Sequence, residues 1–439
     1  MKSMRRMAVL LAVLALVAAA CGGDDDDGGT TQPADGATTA AGGTATTAGD
    51  GATTTAGDAS ATTGEAPAGD GLVFGMILVG PQNDHGWSQA HYEAGLYLEE
   101  QLGAEMIVLD RVNTADRPNT TVDQVAADMI SQGAQLIFAT SDDMRDGIEL
   151  AAEQNPDVPM IWSSGDSAWT EGTGFREDLT NLGNTMGRME YGKMIAGCAA
   201  ALTTQTGAIS YLGPLINDET RRLANSAFLG ARYCWENYRG EPADSLSFAV
   251  NWIGFWFNIP GVTLDPTQVT NEFFDSGSDV VMSGIDTTEA IVVAGQRSAA
   301  DEAVWAVPYD FEGACAEAPN ACLGVPFFNW RPAYLEIAQS VMDGAFEPTW
   351  EWRGPDWADI NNLETSSIGF EPGEGLGDNA AQLDEFIAGL ADGSINLFTG
   401  PLNYQDGTPW LADGESATDV QVWYAEQLLE GMEGASSSS

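Results

Sequence analysis

From residue 72 onward, short apolar runs rich in β-branched residues alternate with stretches whose apolar positions recur at helical spacing. Residues 72–79 read as a strand, and Ala94, Tyr97, Leu98 and Leu102 then fall on one helical face. Residues 105–109 form a second predicted strand, and Val122, Val125, Met129 and Ile130 mark the helix after it. Residues 136–139 and 158–162 are the third and fourth predicted strands. The pattern restarts at 208–212, 247–252, 279–282 and 304–307, each run followed by a helix or loop. Alternation of this kind predicts an α/β fold with parallel sheets covered on both faces. Two such runs predict two doubly wound domains joined by a hinge, with ligands held where the carboxyl ends of the strands face each other. The expected lobes are residues 71–184 with about 309–345, and 185–308 with about 346–434.

Upstream the pattern is different. Lys2, Arg5 and Arg6 precede an apolar run over residues 7–20, which ends in Ala18-Ala19-Ala20 before Cys21. A basic start, a short apolar core and small residues before a cysteine make a bacterial lipoprotein signal. The run is shorter than the roughly 20 apolar residues needed to cross a bilayer. The expected fate is cleavage before Cys21 and lipidation of its sulfur, placing the protein on the extracytoplasmic face of the cell membrane. An ordinary secretory signal with a coincidental cysteine is the alternative. Residues 22–70 are almost wholly Gly, Ala, Thr and Asp without an aromatic residue, a composition that cannot offset its own chain entropy. They read as a flexible tether with a span on the order of 40 Å.

Charge narrows the function. The formal net charge is −49, and Lys2 and Lys193 are the only lysines. Phosphates would be repelled, which argues against nucleic acid as a partner. An acid-rich exterior suits a salty medium, where self-repulsion is screened. The cysteines after Cys21 are even in number: Cys198, Cys234, Cys315 and Cys322. In an exported chain that points to disulfides, Cys315 with Cys322 across a short loop and Cys198 with Cys234 by elimination; four reduced, buried thiols are the alternative. His85 and His91 have no partners at metal-ligand spacing, so neither a metal centre nor another cofactor is expected.

Candidate binding residues lie at the predicted strand ends. Asp84, Trp87 and Ser88 follow the first strand, where free N–H groups and a flat indole can meet a ligand, although a tryptophan in a first helical turn also serves packing. Thr140, Ser141 and Asp142 follow the third strand, where helix capping is the plain alternative. Asn251-Trp252-Ile253-Gly254-Phe255-Trp256-Phe257-Asn258 places four aromatic residues near one strand end, and continued strand parity would aim Trp252 and Trp256 the same way. Asp286 and Asp310 end two further strands. A nucleophile elbow and a phosphate-binding loop are both missing from the sequence, so no enzymatic activity is expected.

Together these segments resemble the basic membrane protein family of ABC-importer binding lipoproteins, which includes purine nucleoside receptors. Asp84-His85-Gly86-Trp87-Ser88-Gln89 resembles its D-K-[SG]-[FW]-N-Q. Phe138-Ala139-Thr140-Ser141 with Asp146 resembles F-x-T-S-x-x-x-x-D, and Gly254-Phe255-Trp256-Phe257-Asn258 resembles G-S-[FW]-x-D. Phe398-Thr399-Gly400-Pro401-Leu402 with Asp406-Gly407 resembles a late F-x-G-P-[IL]-x-x-x-D-G. The resemblance implies a type I periplasmic-binding-protein-like clamshell that stacks a purine base or nucleoside between two aromatics, here Trp87 and Trp256. It also implies an ABC permease and ATPase as partners. Three positions depart from the family: Ser88 stands for an Asn, Asn258 for an Asp, and residues 324–330 lack the lysine that contacts ribose. A sugar or other small polar ligand, or a sensor that signals rather than transports, are the alternatives.

Overall fold

The computed structural model describes residues 71–437. The apolar run, Cys21 and the tether lie outside the described residues. Strand β1 (Val73–Ile77) is followed by α1 (Trp87–Leu102), β2 (Glu105–Leu109), α2 (Val122–Ser131), β3 (Leu136–Ala139), α3 (Arg145–Gln154), β4 (Met160–Ser163) and β5 (Leu182–Gly187). The chain continues through α4 (Met189–Thr203), β6 (Ala208–Gly213), α5 (Asp218–Asn237), β7 (Ser247–Trp252), α6 (Pro266–Asp275), β8 (Val280–Ser283), α7 (Glu289–Ser298) and β9 (Trp305–Val307). It returns along β10 (Gly324–Phe328) to α8 (Arg331–Met342) and β11 (Trp350–Arg353). A last crossing along β12 (Ile368–Pro372) leads to α9 (Ala380–Ala391), the β13 (Leu402–Asn403) and β14 (Pro409–Leu411) hairpin, α10 (Asp419–Trp423) and β15 (Met432–Glu433).

Both doubly wound sheets expected from the strand–helix alternation are present. Six parallel strands run in the order β11-β5-β4-β3-β1-β2, and five in the order β15-β7-β6-β8-β9. Strands β10 and β12 pair antiparallel and form a separate ribbon between them. The lobe boundaries differ from those expected. Trp350–Arg353, placed by sequence in the second lobe, pairs with Leu182–Gly187 and closes the edge of the first sheet. Its alternation of tryptophan with a charged residue suits an edge strand with one face covered.

Each sheet has its own core. Phe74, Met76, Ile137, Phe138 and Trp162 are buried in the first, and Ile209, Tyr211, Phe248, Val280 and Met282 in the second. Helices α4 and α5 approach backbone to backbone. A Cβ on Gly197 would lie 1.9 Å from the Ala227 carbonyl oxygen, and one on Gly230 would lie 2.0 Å from that of Met194. Alanines fill the rest of this contact, so the two helices pack as closely as helices can. A disulfide joins Cys198 to Cys234 across the same pair, and a second joins Cys315 to Cys322 in the loop between β9 and β10. Among the described residues no helix is long and apolar enough to cross a membrane.

Candidate functional site

The carboxyl ends of both sheets face a shared, narrow cavity. The first lobe contributes Trp87, Ser141, Asp142 and Ser164. The second contributes Tyr211, Glu219, Thr220, Leu223, Trp256, Gly284, Asp286 and Tyr309.

Trp87 reaches the cavity because the chain after β1 turns tightly into α1. The Asp84 carboxylate accepts hydrogen bonds from the backbone N–H groups of Gly86, Ser88 and Gln89, at 2.9–3.0 Å, and so caps the open end of the helix. Trp87 is the first helical residue, and its indole N–H donates to the Thr140 carbonyl. Three rings, His91, Phe328 and Trp330, meet it edge to face. Gly86 lies against the other lobe: a Cβ there would stand 1.7 Å from the Asp286 carbonyl oxygen. Only glycine permits this approach. Gly86→Ala is expected to hold the lobes apart, weakening ligand binding at least tenfold while leaving the unfolding midpoint nearly unchanged. Calorimetry beside thermal melts checks this, and undiminished affinity would contradict it.

Trp256 arrives differently from the strand-parity expectation. Strand β7 ends at Trp252, and Gly254, at φ 103°, turns the chain out of the sheet. Trp252 therefore points elsewhere: its indole N–H donates to the Ala435 carbonyl, and its ring covers Gly213. The Trp256 indole N–H crosses to the first lobe and donates to Asp143 at 2.8 Å. Beside it the Asn217 amide donates to Asp142 at 3.2 Å, so two hydrogen bonds fasten the lobes at the cavity rim.

Of the residues singled out from sequence, Trp87, Ser141, Asp142, Trp256 and Asp286 meet in the cavity. The others stand behind it. Asp84 and Ser88 shape the β1–α1 turn, the Ser88 hydroxyl accepting from the Gly80 N–H. The Thr140 hydroxyl donates to the Ile77 carbonyl. Asp310 is fully buried, and both its carboxylate oxygens lack a hydrogen-bond partner. Near it Lys193 donates to the Ser283 carbonyl at 2.6 Å and rests 3.2 Å from the centre of the Tyr309 ring. Burial pushes the Asp310 carboxyl well up and the Lys193 ammonium well down, and each charge moderates the shift of the other.

Ser164, Glu219 and Thr220 were not anticipated. They follow the ends of β4 and β6, the same position that identified the other candidates. The chain signal was there in Asn217-Asp218-Glu219-Thr220, where the Asn217 side chain caps α5 and aims the next residues across the cleft. Lys193 gave no signal, because it sits inside an Ala- and Gly-rich helix.

The cavity is acidic. Burial pushes Asp142 up to about 6, with the Asp143 charge adding to it. Burial likewise pushes Glu219 from 4.5 up to about 7, opposed by Arg222 and reinforced by Asp142 and Glu190. A carboxyl whose folded value exceeds its unfolded value contributes stability below the unfolded value and loses it as pH rises through the folded one. Ligand-free protein should thus lose stability between about pH 4.5 and 7. Glu219→Gln is expected to exceed the wild type in stability at pH 8 by on the order of 3 kcal/mol, and to match it near pH 4.5. Urea unfolding at the two pH values measures this, and equal stability at pH 8 would count against it.

A family model described as ABC transporter substrate-binding protein PnrA-like matches residues 72–239. A purine-binding protein of Brucella abortus is 28% identical over 361 residues, covering 81% of this chain and 91% of its own. A putative ABC transporter glucose-binding protein of Haloferax volcanii is 27% identical over 287 residues, 65% of either chain. The solved structure of an ABC transporter system solute-binding protein from Aeropyrum pernix superposes with a TM-score of 0.59 at 13% identity, covering 74% of this chain and 92% of that one. A solute-binding protein of Conexibacter woesei gives 0.53 at 17%, covering 74% and 98%. The two structures share the fold. Residues 72–239 thus resemble the PnrA-like ABC transporter substrate-binding proteins, and the fold around the cleft is the one found in ABC solute-binding proteins.

Proposed function

We propose that this protein captures a purine base or nucleoside outside the membrane and presents it to an ABC permease and its ATPase. The observation that carries the reading is the pair of indoles, Trp87 from one lobe and Trp256 from the other, lining one cavity with each ring pinned through its N–H. A flat base stacked on aromatic faces gains about 1–3 kcal/mol per contact. Two faces with a few buried hydrogen bonds reach the roughly 8–12 kcal/mol of a micromolar to nanomolar binder. Ser141, Ser164 and Tyr211 offer hydroxyls that both donate and accept, suited to the edge of a base or to ribose. The Brucella relative, named for purine binding, supports the same ligand class. The Haloferax relative, named for glucose, keeps a sugar as the comparison ligand. The work of such a protein is binding, hinge closure and presentation, with no chemical turnover.

Mass spectrometry of small molecules released from the purified, denatured protein tests the ligand. A purine supports the reading, and a hexose overturns it. The anchor belongs to the same proposal. Cys21→Ser is expected to abolish lipid labelling and to release the protein from membranes or leave its signal uncleaved. A variant that still takes up lipid and stays membrane-bound would remove the anchor from this account.

A further inference from the structure

The charge balance of the cleft carries one step more. Asp286 and Glu219 are 5% and 8% exposed, and what remains exposed lines the cavity. Among the described residues no hydrogen-bond donor or ion-pair partner meets either carboxylate. Asp142 uses one oxygen on the Asn217 amide and has the other free. The nearest cations are held mainly by other groups, with Arg222 Nη2 left without a partner. Arg222 Nε is bound to Glu190 at 2.7 Å, Arg145 Nε to Glu149 at 3.1 Å, and Lys193 is held by the Ser283 carbonyl behind the Tyr309 ring. Asp84, Asp143 and Asp310 are further carboxyl groups close enough to disfavour charge on Asp286.

Carboxylates taken out of water without a bonded counter-charge are costly, and in the folded chain the through-space pull of Arg222 on Glu219 offsets only part of that cost, the rest being escaped by taking up protons. A ligand that supplies the missing charge removes the cost. No group of carboxylates among the described residues comes close enough together to hold a metal ion, so an organic charge fits the space better. The walls fit it too, because indole faces attract cations as well as stack on flat rings.

We propose that the cleft selects a flat heteroaromatic cation, its ring between Trp87 and Trp256 and its charged or N–H edge on Glu219 and Asp286. This rests on the reading of the cleft as the ligand site and narrows its substrate class, from purines in general to rings that are positively charged when bound.

Calorimetric titration of the whole protein with adenosine, 1-methyladenosine and thiamine near pH 7 tests it. Adenosine is neutral there, 1-methyladenosine is its cationic counterpart, and thiamine carries a flat cationic ring without a purine. Wild type is expected to bind 1-methyladenosine at least tenfold more tightly than adenosine, and that ratio to fall toward one in Glu219→Gln with Asp286→Asn. A purely steric effect of the methyl group would leave the ratio the same in both proteins and would overturn the proposal. Adenosine binding as tightly as 1-methyladenosine in wild type overturns it while leaving the purine reading standing. Thiamine bound and both nucleosides refused would do the reverse. Refusal of all three overturns both. Should the double variant fail to fold by circular dichroism, the wild-type ratio alone decides.

Discussion

Replacing Trp256 with alanine is expected to weaken ligand binding by about 1–3 kcal/mol, roughly tenfold to a hundredfold, with a small change in unfolding free energy. Among the described residues this indole belongs to none of the three packed hydrophobic clusters, and its N–H bond to Asp143 joins the two lobes at the cavity rim. It therefore contributes to the closed cleft more than to either core. Trp87→Ala should lose the same affinity and a further 3–5 kcal/mol or so of stability. Its ring is wedged among His91, Phe328 and Trp330, and His91 in turn stacks on Trp330 and bonds the Tyr334 hydroxyl at 2.6 Å. Burial pushes the His91 imidazole well below its usual value, so it stays neutral and belongs to this packed layer. Calorimetry and urea unfolding on both variants separate the two roles. Equal stability losses would place Trp256 in the core, and unchanged affinities would remove both rings from the ligand wall.

The second large effect lies where α4 meets α5. Glu190, at the start of α4, bonds Arg222 of α5 at 2.7 Å, and each side chain is 2% exposed. The guanidinium also rests 4.2 Å from the centre of the Trp423 ring, which ties α10 to both helices. Removing one partner leaves the other charge buried without compensation, at a cost of about 3–5 kcal/mol. Arg222→Met and Glu190→Gln should each be strongly destabilising in urea. Glu190→Leu combined with Arg222→Met should recover most of the loss, because an apolar pair of similar volume removes both desolvation costs. Single variants that unfold like the wild type would show that the pair contributes nothing of this size.

The strands most legible in the sequence were the continuous apolar ones. Leu136–Ala139 stands where the pattern put it, because a central parallel strand covered on both faces is apolar throughout, and Ser247–Trp252 stands at the expected bounds as well. Those that escaped carry a weaker signal. Leu182–Gly187 reads Leu-Gly-Asn-Thr-Met-Gly, and its Asn184 is buried in bonds to Ser167, Ala168 and the Trp162 carbonyl that only the folded chain provides. Gly324–Phe328 contains Pro326, which a two-stranded ribbon tolerates and a central strand does not. The site divides in the same way. Trp87 and Asp286 were visible because a strand end fixes where the next residues emerge. Trp252 was misplaced because one glycine at positive φ ended the parity on which its direction depended. The Asp310 carboxylate, close to Asp286 in the chain pattern, turned out to lie behind Tyr309 with the buried lysine for company, a three-dimensional fact with no counterpart in spacing.

Calorimetric titration of the wild type with adenine, guanosine, inosine and a hexose tests the central claim most directly. A purine is expected to bind with micromolar or tighter affinity, and that affinity to drop tenfold or more in Trp256→Ala while the hexose shows no heat in either protein. Binding of the hexose alone, or purine affinity indifferent to Trp256, would contradict the account.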